Sequence, residues 1–494
     1  MSDYQKLVQH SKKLANFNHL AAISGWDQAA VMPAGGNEAR SNAMAELSVL
    51  IHQLSTEPQL ADWFAGAEQE TLTSQQQASL REMKQRWQQA TVLPEKLVQA
   101  KSLAGMKCEH AWRTQRKEND WQGFAKNWQQ VVTLSQEEAQ IRAENLGTTP
   151  YDAMLSLYEP GTTTDSLDNV FNDVKTWLPS LVDQVIEKQR QESFIQPQGP
   201  FATSQQKALG LKVMEFLQFD FNHGRLDESV HPFCGGVPTD VRLTTRYDEN
   251  DLVQSLMGTI HETGHARYEQ GLPTDLAGLP VGEARSMGIH ESQSLFFEMQ
   301  LGRSPEFISH LSSMAQQEFQ ANSNPAFSAE NFQKLYTRVE KGFIRVDADE
   351  LTYPAHVILR YEIERDLMNG NISFNDVPEL WDQKMQQYLG LTTQGNFKNG
   401  CMQDIHWTDG TFGYFPSYTL GAMYAAQFMA SMKKTVDVES AIRSGDLSPI
   451  FNWLSANIWS KGSTLNTDDL VKQATGETLN TKHFKAHLET RYLG

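Results

Sequence analysis

Apolar residues recur at helical spacing through most of the first half of the chain. In the first segment they include Leu7, Leu14 and Phe17, which fall mostly on one face of a helix. The same periodicity predicts helices over about residues 38–54 and 74–91. The pattern therefore predicts a series of amphipathic helices that pack through their apolar faces.

Local start signals predict three further helices. Pro94 in Leu93-Pro94-Glu95 suits the first turn of a helix, since proline lacks an N–H that would be unpaired there. Another helix is predicted after Asn119-Asp120. A long one is predicted after Thr163-Thr164-Asp165, running through Leu178.

The helical pattern breaks at Gln196-Pro197-Gln198-Gly199-Pro200. Beyond it, residues 241–247 alternate and are rich in β-branched side chains, which predicts one strand of a small sheet. Helical patterns then resume. The predicted fold is mainly α, a two-lobed helical body with a small antiparallel β element.

No long linker, repeat or low-complexity tract divides the 494 residues. We therefore expect a single two-lobed domain over 1–494, with an N-terminal helical part over about 1–195. A second part over about 203–425 contains the candidate chemistry described below.

Composition and charge exclude some classes of protein. Hydrophobic residues make up 39% and charged residues 21%, as in ordinary globular proteins. The formal charge of −18 argues against a nucleic-acid partner, which would require clustered Lys and Arg. No run of about 18 apolar residues predicts a membrane span.

The cysteines and the N-terminus bear on location. Cys108, Cys234 and Cys401 are far apart and odd in number, so they predict no disulfide framework and favour a reducing compartment. The first residues show no basic stretch followed by an apolar one, so no signal peptide is predicted. We expect a cytoplasmic protein.

The sequence His261-Glu262-Thr263-Gly264-His265 is an H-E-x-x-H motif that follows an apolar helical approach. Residues four apart on a helix lie about 6 Å apart along its axis, so both imidazoles can reach one metal ion. Glu262 is placed to act as a general base without binding the metal. Chance would produce this motif in on the order of one chain in a hundred of this length.

A catalytic zinc needs a third protein ligand and an open position. The metzincin continuation is absent, because Tyr268 and Gly271 occupy the positions where it needs Gly and His. A carboxylate on a following helix is the alternative. Four glutamates remain open by spacing alone, and Glu291 and Glu298 lie two turns apart on one predicted helix, 289–301. The four candidates are Glu269, Glu283, Glu291 and Glu298.

Several further segments carry a family resemblance. In chain order they are Trp26-Asp27, Tyr158-Glu159-Pro160-Gly161, Gly224-Arg225-Leu226-Asp227, His231-Pro232-Phe233, residues 240–247, the H-E-x-x-H motif, His290-Glu291-Ser292-Gln293-Ser294, residues 344–350, Gln403-Asp404-Ile405-His406-Trp407 and residues 413–418. This set, in this order and over essentially the whole chain, resembles the carboxypeptidase Taq family of zinc metallocarboxypeptidases.

The resemblance implies an activity, a ligand set and an assembly. It implies hydrolysis of single residues from the C-termini of peptides, with broad specificity. The metal ligands would be His261, His265 and Glu291, binding one Zn²⁺ per subunit with Co²⁺ able to replace it, and Glu262 would be the base. The family's fold is mostly helical with a deep active-site groove between two lobes, and its members are usually homodimers, so such a groove and a homodimer are expected.

The resemblance also suggests groups that contact the substrate. His406 and Tyr414 are candidate donors to the oxyanion, with Tyr418 as the alternative to Tyr414. His406 could instead be a histidine packed beside Trp407.

An exopeptidase must recognise a terminal carboxylate, and the planar fork of arginine suits this task. Arg345 is the first candidate by resemblance and Arg242 the second. Either arginine could instead be a structural ion-pair partner, since Asp347 and Asp349 lie close to Arg345 in sequence.

Two other functions fit the same motif. An oligopeptidase would use the same zinc chemistry on internal bonds. A catalytically silent scaffold would bind peptides without turnover, although Glu262 and all the ligands are present.

Overall fold

The computed structural model describes residues 1–229 and 232–494. His231, part of the His231-Pro232-Phe233 segment, lies outside the described residues. The helices of the first half are α1 Asp3–Ala30, α2 Asn37–Ser55, α3 Gln59–Ala67, α4 Ser74–Thr91, α5 Glu95–Gln115, α6 Trp121–Leu146, α7 Pro150–Leu155, α8 Thr164–Gln189 and α9 Thr203–Phe216.

The second half begins with strands and returns to helices. The strands are β1 Gly224–Glu228, β2 Cys234–Val237 and β3 Asp240–Thr245. The helices are α10 Leu252–Gly271, α11 Met287–Leu295, α12 Pro305–Glu318, α13 Ala329–Tyr336, α14 Tyr353–Met368, α15 Val377–Leu389, α16 His406–Asp409, α17 Pro416–Met432, α18 Val438–Ser444, α19 Ser448–Asn457, α20 Thr467–Thr475 and α21 Thr481–Leu493. Short 3₁₀ helices occupy Ala34–Gly36, Thr274–Leu276, Pro280–Gly282, Pro325–Phe327, Arg345–Asp347, Phe374–Asp376 and Trp459–Lys461.

Capping residues fix several of the predicted helix starts. Thr73 caps α4 in a capping box with Gln76, and Asp120 accepts a hydrogen bond from the backbone N–H of Gly123 at 2.8 Å to begin α6. The left-handed Gly147, with φ of 68°, ends α6. The mainly helical class is confirmed, and α4 has the bounds that the apolar pattern predicts.

The helix predicted over 289–301 differs in its second half. It is α-helical over Met287–Leu295 and then continues as a π-helix over Phe296–Gly302. Turns of π-helix are rare in proteins overall, and those that occur often lie at functional sites. Glu291 lies in the α-helical part and Glu298 in the π-helical part.

The sheet is mixed, and its prediction as an antiparallel element is wrong for one pair. β2 and β3 form an antiparallel hairpin, whereas β1 pairs with the other edge of β3 in parallel register, Gly224 opposite Val241. Strand direction alternates along the chain, but β3 lies between β1 and β2. The neighbours β1 and β3 therefore share a direction.

The largest apolar core contains helices of both halves of the chain. α17 is buried along almost its whole length, and α11 packs against it. On its other side α11 packs against α10, which also covers β3. This layering places the H-E-x-x-H helix, α11 and α17 side by side in the interior.

Candidate active site

Gly264 allows α10 and α11 to approach closely. A Cβ at this position would lie 2.6 Å from the backbone oxygen of Gln293 and 2.6 Å from Cα of Ser294. Any larger residue would push the two helices apart. The glycine inside the H-E-x-x-H motif therefore brings the two histidines of α10 close to Glu291 of α11.

His261, His265 and Glu291 each offer one ligand atom, and these atoms all lie within 4.8 Å of one another. Nε2 of His265 is 3.6 Å from a carboxylate oxygen of Glu291. All three side chains are partly buried. The cluster could hold a metal ion, and two imidazoles with one carboxylate form a donor set suited to zinc.

The second nitrogen of each histidine in this cluster is already engaged. Nδ1 of His261 lies 2.9 Å from Glu298, and Nδ1 of His265 lies 2.7 Å from Nδ1 of His290. His290 in turn places Nε2 at 2.8 Å from Glu269. Both cluster histidines therefore keep Nε2 for a metal ion, the arrangement that metal-binding histidines usually show.

A groove of about 1070 Å³ opens beside the cluster. Its lining includes His261, Glu291, Arg345, Tyr353, His406 and Tyr418. Candidate metal ligands, a cation and possible hydrogen-bond donors thus face one space that can hold a short peptide.

Comparison with known proteins agrees with this geometry. The family model described as "Carboxypeptidase Taq (M32) metallopeptidase" matches residues 6–492. The chain belongs to this family. It is therefore a metallocarboxypeptidase, a hydrolase that acts on peptide bonds, and its family implies a divalent metal.

Individual members of the family match over nearly their whole length. The chain is 36% identical to thermostable carboxypeptidase 1 of Thermus thermophilus, covering 99% of this chain and 98% of that protein. Carboxypeptidase 1 of Bacillus subtilis is 35% identical, with 97% and 96% covered. The solved structure of Trypanosoma cruzi metallocarboxypeptidase 1 superimposes with a TM-score of 0.97 at 46% identity, covering 100% of this chain and 99% of that one.

The four glutamates considered as third ligand have different surroundings. Glu291 alone among them groups with His261 and His265 in the described parts of the chain. The carboxylate of Glu298 lies 2.9 Å from Nδ1 of His261 and accepts a hydrogen bond from Arg303 at 2.5 Å. Glu298 is therefore engaged by two other side chains. The remaining pairs are Glu269 with His290 and Glu283 with Arg86 on α4.

Burial and neighbouring charge perturb the ionisation of this cluster. Burial raises the pKa of Glu262 to about 7. Burial would lower the pKa of His261, but Glu298 and Glu291 outweigh it and raise that pKa to about 9. A base whose pKa lies near neutrality matches general-base work at physiological pH.

Arg345 lies in the groove wall, and its ion-pair partner is not one of the aspartates close to it in sequence. Its guanidinium binds Asp404 at 2.9 Å and the hydroxyl of Tyr353 at 2.7 Å, in place of Asp347 or Asp349. Arg360 binds the same Asp404 at 2.6 Å. Two guanidinium groups share one carboxylate, so the buried group keeps a net positive charge beside the groove.

Arg242 is engaged elsewhere. It pairs with Asp240 at 2.8 Å, and its guanidinium lies over the ring of Trp26 at 4.4 Å. It is not in the lining of the groove as described. The structure therefore brings Arg345, but not Arg242, into the groove that His261 and Glu291 also line.

Of the two candidate tyrosines, Tyr418 is the one in the groove lining. Its hydroxyl is 3.3 Å from Nε2 of His406. Tyr414 packs edge-on against Tyr158 at 5.1 Å and is not in that lining. Burial, together with the guanidinium of Arg345, lowers the pKa of His406 to about 4, so its ring is neutral at physiological pH.

Two buried carboxylates to which the sequence assigned no role accept hydrogen bonds from residues that neighbour the site. Glu364 accepts hydrogen bonds from Nε1 of Trp407 at 2.7 Å and from the backbone N–H of Gly413 at 3.1 Å. Glu159 accepts from Ser417 at 2.7 Å and from the backbone at the start of α11. The motif around Glu159 was a usable signal, whereas Glu364 stands in no motif.

No helix in the described part of the chain combines the length and apolarity needed to cross a bilayer.

Proposed function

We propose that this chain is a zinc-dependent carboxypeptidase that removes single residues of broad identity from the C-termini of peptides. The observation that supports it most is the cluster of His261, His265 and Glu291, with ligand atoms within 4.8 Å, of which His261 and Glu291 line a peptide-sized groove. Zinc bound there would lower the pKa of a coordinated water to about 7 and polarise a carbonyl oxygen.

In this proposal Glu262 moves the protons. It would take a proton from the attacking water and pass it to the leaving amine, the work of a general base and then a general acid. Its raised pKa of about 7 supports both roles near neutral pH.

His406 and Tyr418 would stabilise the oxyanion. With a proton on Nε2, the neutral His406 donates to the oxygen of Tyr418, 3.3 Å away. The O–H of Tyr418 is then free to donate to the oxyanion in the groove. The sequence favoured Tyr414 in this role, but its position against Tyr158 supports Tyr418.

Arg345 would make the enzyme an exopeptidase. A substrate carboxylate would join Asp404 and Tyr353 around its guanidinium, with Arg360 compensating the second negative charge. Binding at this fixed point would hold the last peptide bond near the metal cluster. Arg242 remains the alternative anchor, although its pairing with Asp240 supports it less.

One pair of experiments tests the metal and the base. A strong chelator should abolish activity, and added Zn²⁺ or Co²⁺ should restore it. Glu262→Gln should lower kcat by roughly 10²–10⁴-fold while the metal content stays at the wild-type level. Full activity in a metal-free sample would refute the proposal.

A second experiment tests where the enzyme cuts. Free-acid and C-terminally amidated forms of one peptide are digested, and the products are identified by mass spectrometry. The proposal predicts stepwise loss of single C-terminal residues from the free acid and little cleavage of the amide. Internal cleavage of both forms would indicate an oligopeptidase, and no cleavage of either by metal-loaded protein would indicate a binding scaffold.

We also propose a cytoplasmic homodimer. Cys108, Cys234 and Cys401 are all free thiols, which supports a reducing compartment. The dimer rests on the family resemblance alone. Light scattering on the purified protein should give twice the mass of the 55.8 kDa chain.

A further inference from the structure

We propose that His290 and Glu269 form a relay that fixes the tautomer of His265 and strengthens it as a metal ligand. This inference rests on the proposed function, because it assumes that His265 binds the metal. The relay consists of two contacts, His265 Nδ1 to His290 Nδ1 at 2.7 Å and His290 Nε2 to Glu269 at 2.8 Å.

The direction of the hydrogen bonds follows from the end of the relay. A carboxylate only accepts, so the bond between His290 and Glu269 places a proton on Nε2 of His290. An imidazole with one proton, at Nε2, has an acceptor at Nδ1, so the proton in the second bond belongs to Nδ1 of His265. Nε2 of His265 is left with its lone pair, which is the form that binds a metal.

The two cluster histidines are supported in different ways. Glu298 contacts His261 directly, but Arg303 at 2.5 Å neutralises that carboxylate. Glu269 contacts His265 only through His290, and no Lys or Arg pairs with Glu269 among residues 1–229 and 232–494. The relay therefore delivers an uncompensated negative charge toward His265, which makes its imidazole a stronger donor to a cation.

The relay also links the two helices that supply the ligands. Glu269 lies one turn after His265 on α10, while His290 directly precedes Glu291 on α11. A relay held at both ends on α10 thus fixes the start of α11 beside His265. This clamp is purely structural, whereas the tautomer effect requires an acceptor atom at the Nδ1 position of His290.

Three variants separate these effects. His290→Phe keeps a ring of similar size but has no acceptor. His290→Asn places an amide oxygen close to the original Nδ1 position and so keeps the contact to His265. Glu269→Gln keeps a hydrogen-bond acceptor for His290 and removes the charge. His310→Phe is the matched control, because His310 bonds the backbone oxygen of Ile442 at 2.8 Å, away from the site.

The measurement is the Zn²⁺ dissociation constant, obtained by competition with a chromophoric chelator at fixed pH. Thermal unfolding of each metal-free variant is recorded alongside it. His290→Phe should weaken Zn²⁺ binding by about 10–100-fold, and Glu269→Gln should weaken it by a smaller factor. His290→Asn should recover most of the affinity, and His310→Phe should match the wild type.

The outcomes distinguish this inference from the function on which it rests. If the wild type binds Zn²⁺ tightly and His290→Phe binds it equally well, the relay is refuted and the proposed function stands. Equal weakening in His290→Phe and His290→Asn would refute the tautomer effect and leave only a structural clamp. Failure of the wild type to bind Zn²⁺ would refute the proposed function, and the relay with it.

Should His290→Phe not fold, His290→Asn and Glu269→Gln still decide, because wild-type affinity in Glu269→Gln refutes the role of charge.

Discussion

Gly421 of α17 leaves room for the side chain of Glu291 beside His261 and His265. A Cβ on Gly421 would lie 2.7 Å from Cγ and 2.8 Å from Cβ of Glu291, and 3.1 Å from its backbone carbon. Ordinary contact between such atoms begins at 3.4 Å. In Gly421→Ala, therefore, either the side chain of Glu291 or the whole of α11 must move by about 0.7 Å.

That displacement is large compared with the tolerance of a metal site. Ligand distances in such sites hold to within about 0.2 Å, so a shift of this size misplaces the carboxylate. We expect Gly421→Ala to weaken Zn²⁺ binding by at least about 10-fold. Overpacking should also lower the free energy of unfolding by about 1–3 kcal/mol, partly offset by the helix propensity of alanine.

Gly258 provides a matched control on α10, three residues before His261. Among the residues that the structure describes, a Cβ there meets nothing within 4 Å. Gly258→Ala should raise the free energy of unfolding by about 0.5–1 kcal/mol and leave metal affinity unchanged. Chelator competition and urea unfolding of both variants give the comparison. A folded Gly421→Ala that binds Zn²⁺ as tightly as the wild type would refute this account of α11 and α17.

Three further predictions follow from the site and the core. Glu291→Gln should lose its metal on dialysis, whereas Glu298→Gln, which removes the negative charge beside His261, should weaken binding by about 10–100-fold; elemental analysis distinguishes them. Arg345→Ala should lower kcat/KM for free-acid peptides by roughly 10- to 150-fold and hardly change the slow cleavage of amidated ones, and equal losses would make it a structural residue. Burial and Arg360 lower the pKa of His356 from 6.5 to about 3, so its neutral form stabilises the fold above pH 6.5 and this contribution is lost as pH falls from 6.5 toward 3. Between pH 7 and 4 the urea midpoint of metal-free protein should therefore fall less steeply in His356→Leu than in the wild type.

Features determined by neighbours in sequence were predictable. The start of α4 depends on Thr73 and Gln76, three residues apart, and the apolar spacing fixes its buried face. The pairing of His261 with His265 follows from the pitch of one helix. In each case the interacting groups lie within about one helical turn, so the sequence pattern contains the geometry.

Features that depend on distant partners were not predictable. Arg345 finds its partner in Asp404, 59 residues away, and not in the nearer aspartates. Tyr414 packs against Tyr158, far away in sequence, whereas Tyr418 lines the groove. The parallel pairing of β1 with β3 likewise depends on the order of strands in space. Such contacts are chosen by tertiary packing, which periodicity and spacing do not encode.

The claim that His261, His265 and Glu291 hold the catalytic metal can be tested by anomalous diffraction at the zinc edge from crystals of the protein loaded with one equivalent of Zn²⁺. The account predicts one strong peak per chain, about 2.0–2.2 Å from Nε2 of both histidines and from the carboxylate of Glu291. A peak coordinated by Glu298 or Glu269 in place of Glu291, or the absence of a peak between the two histidines, would contradict it.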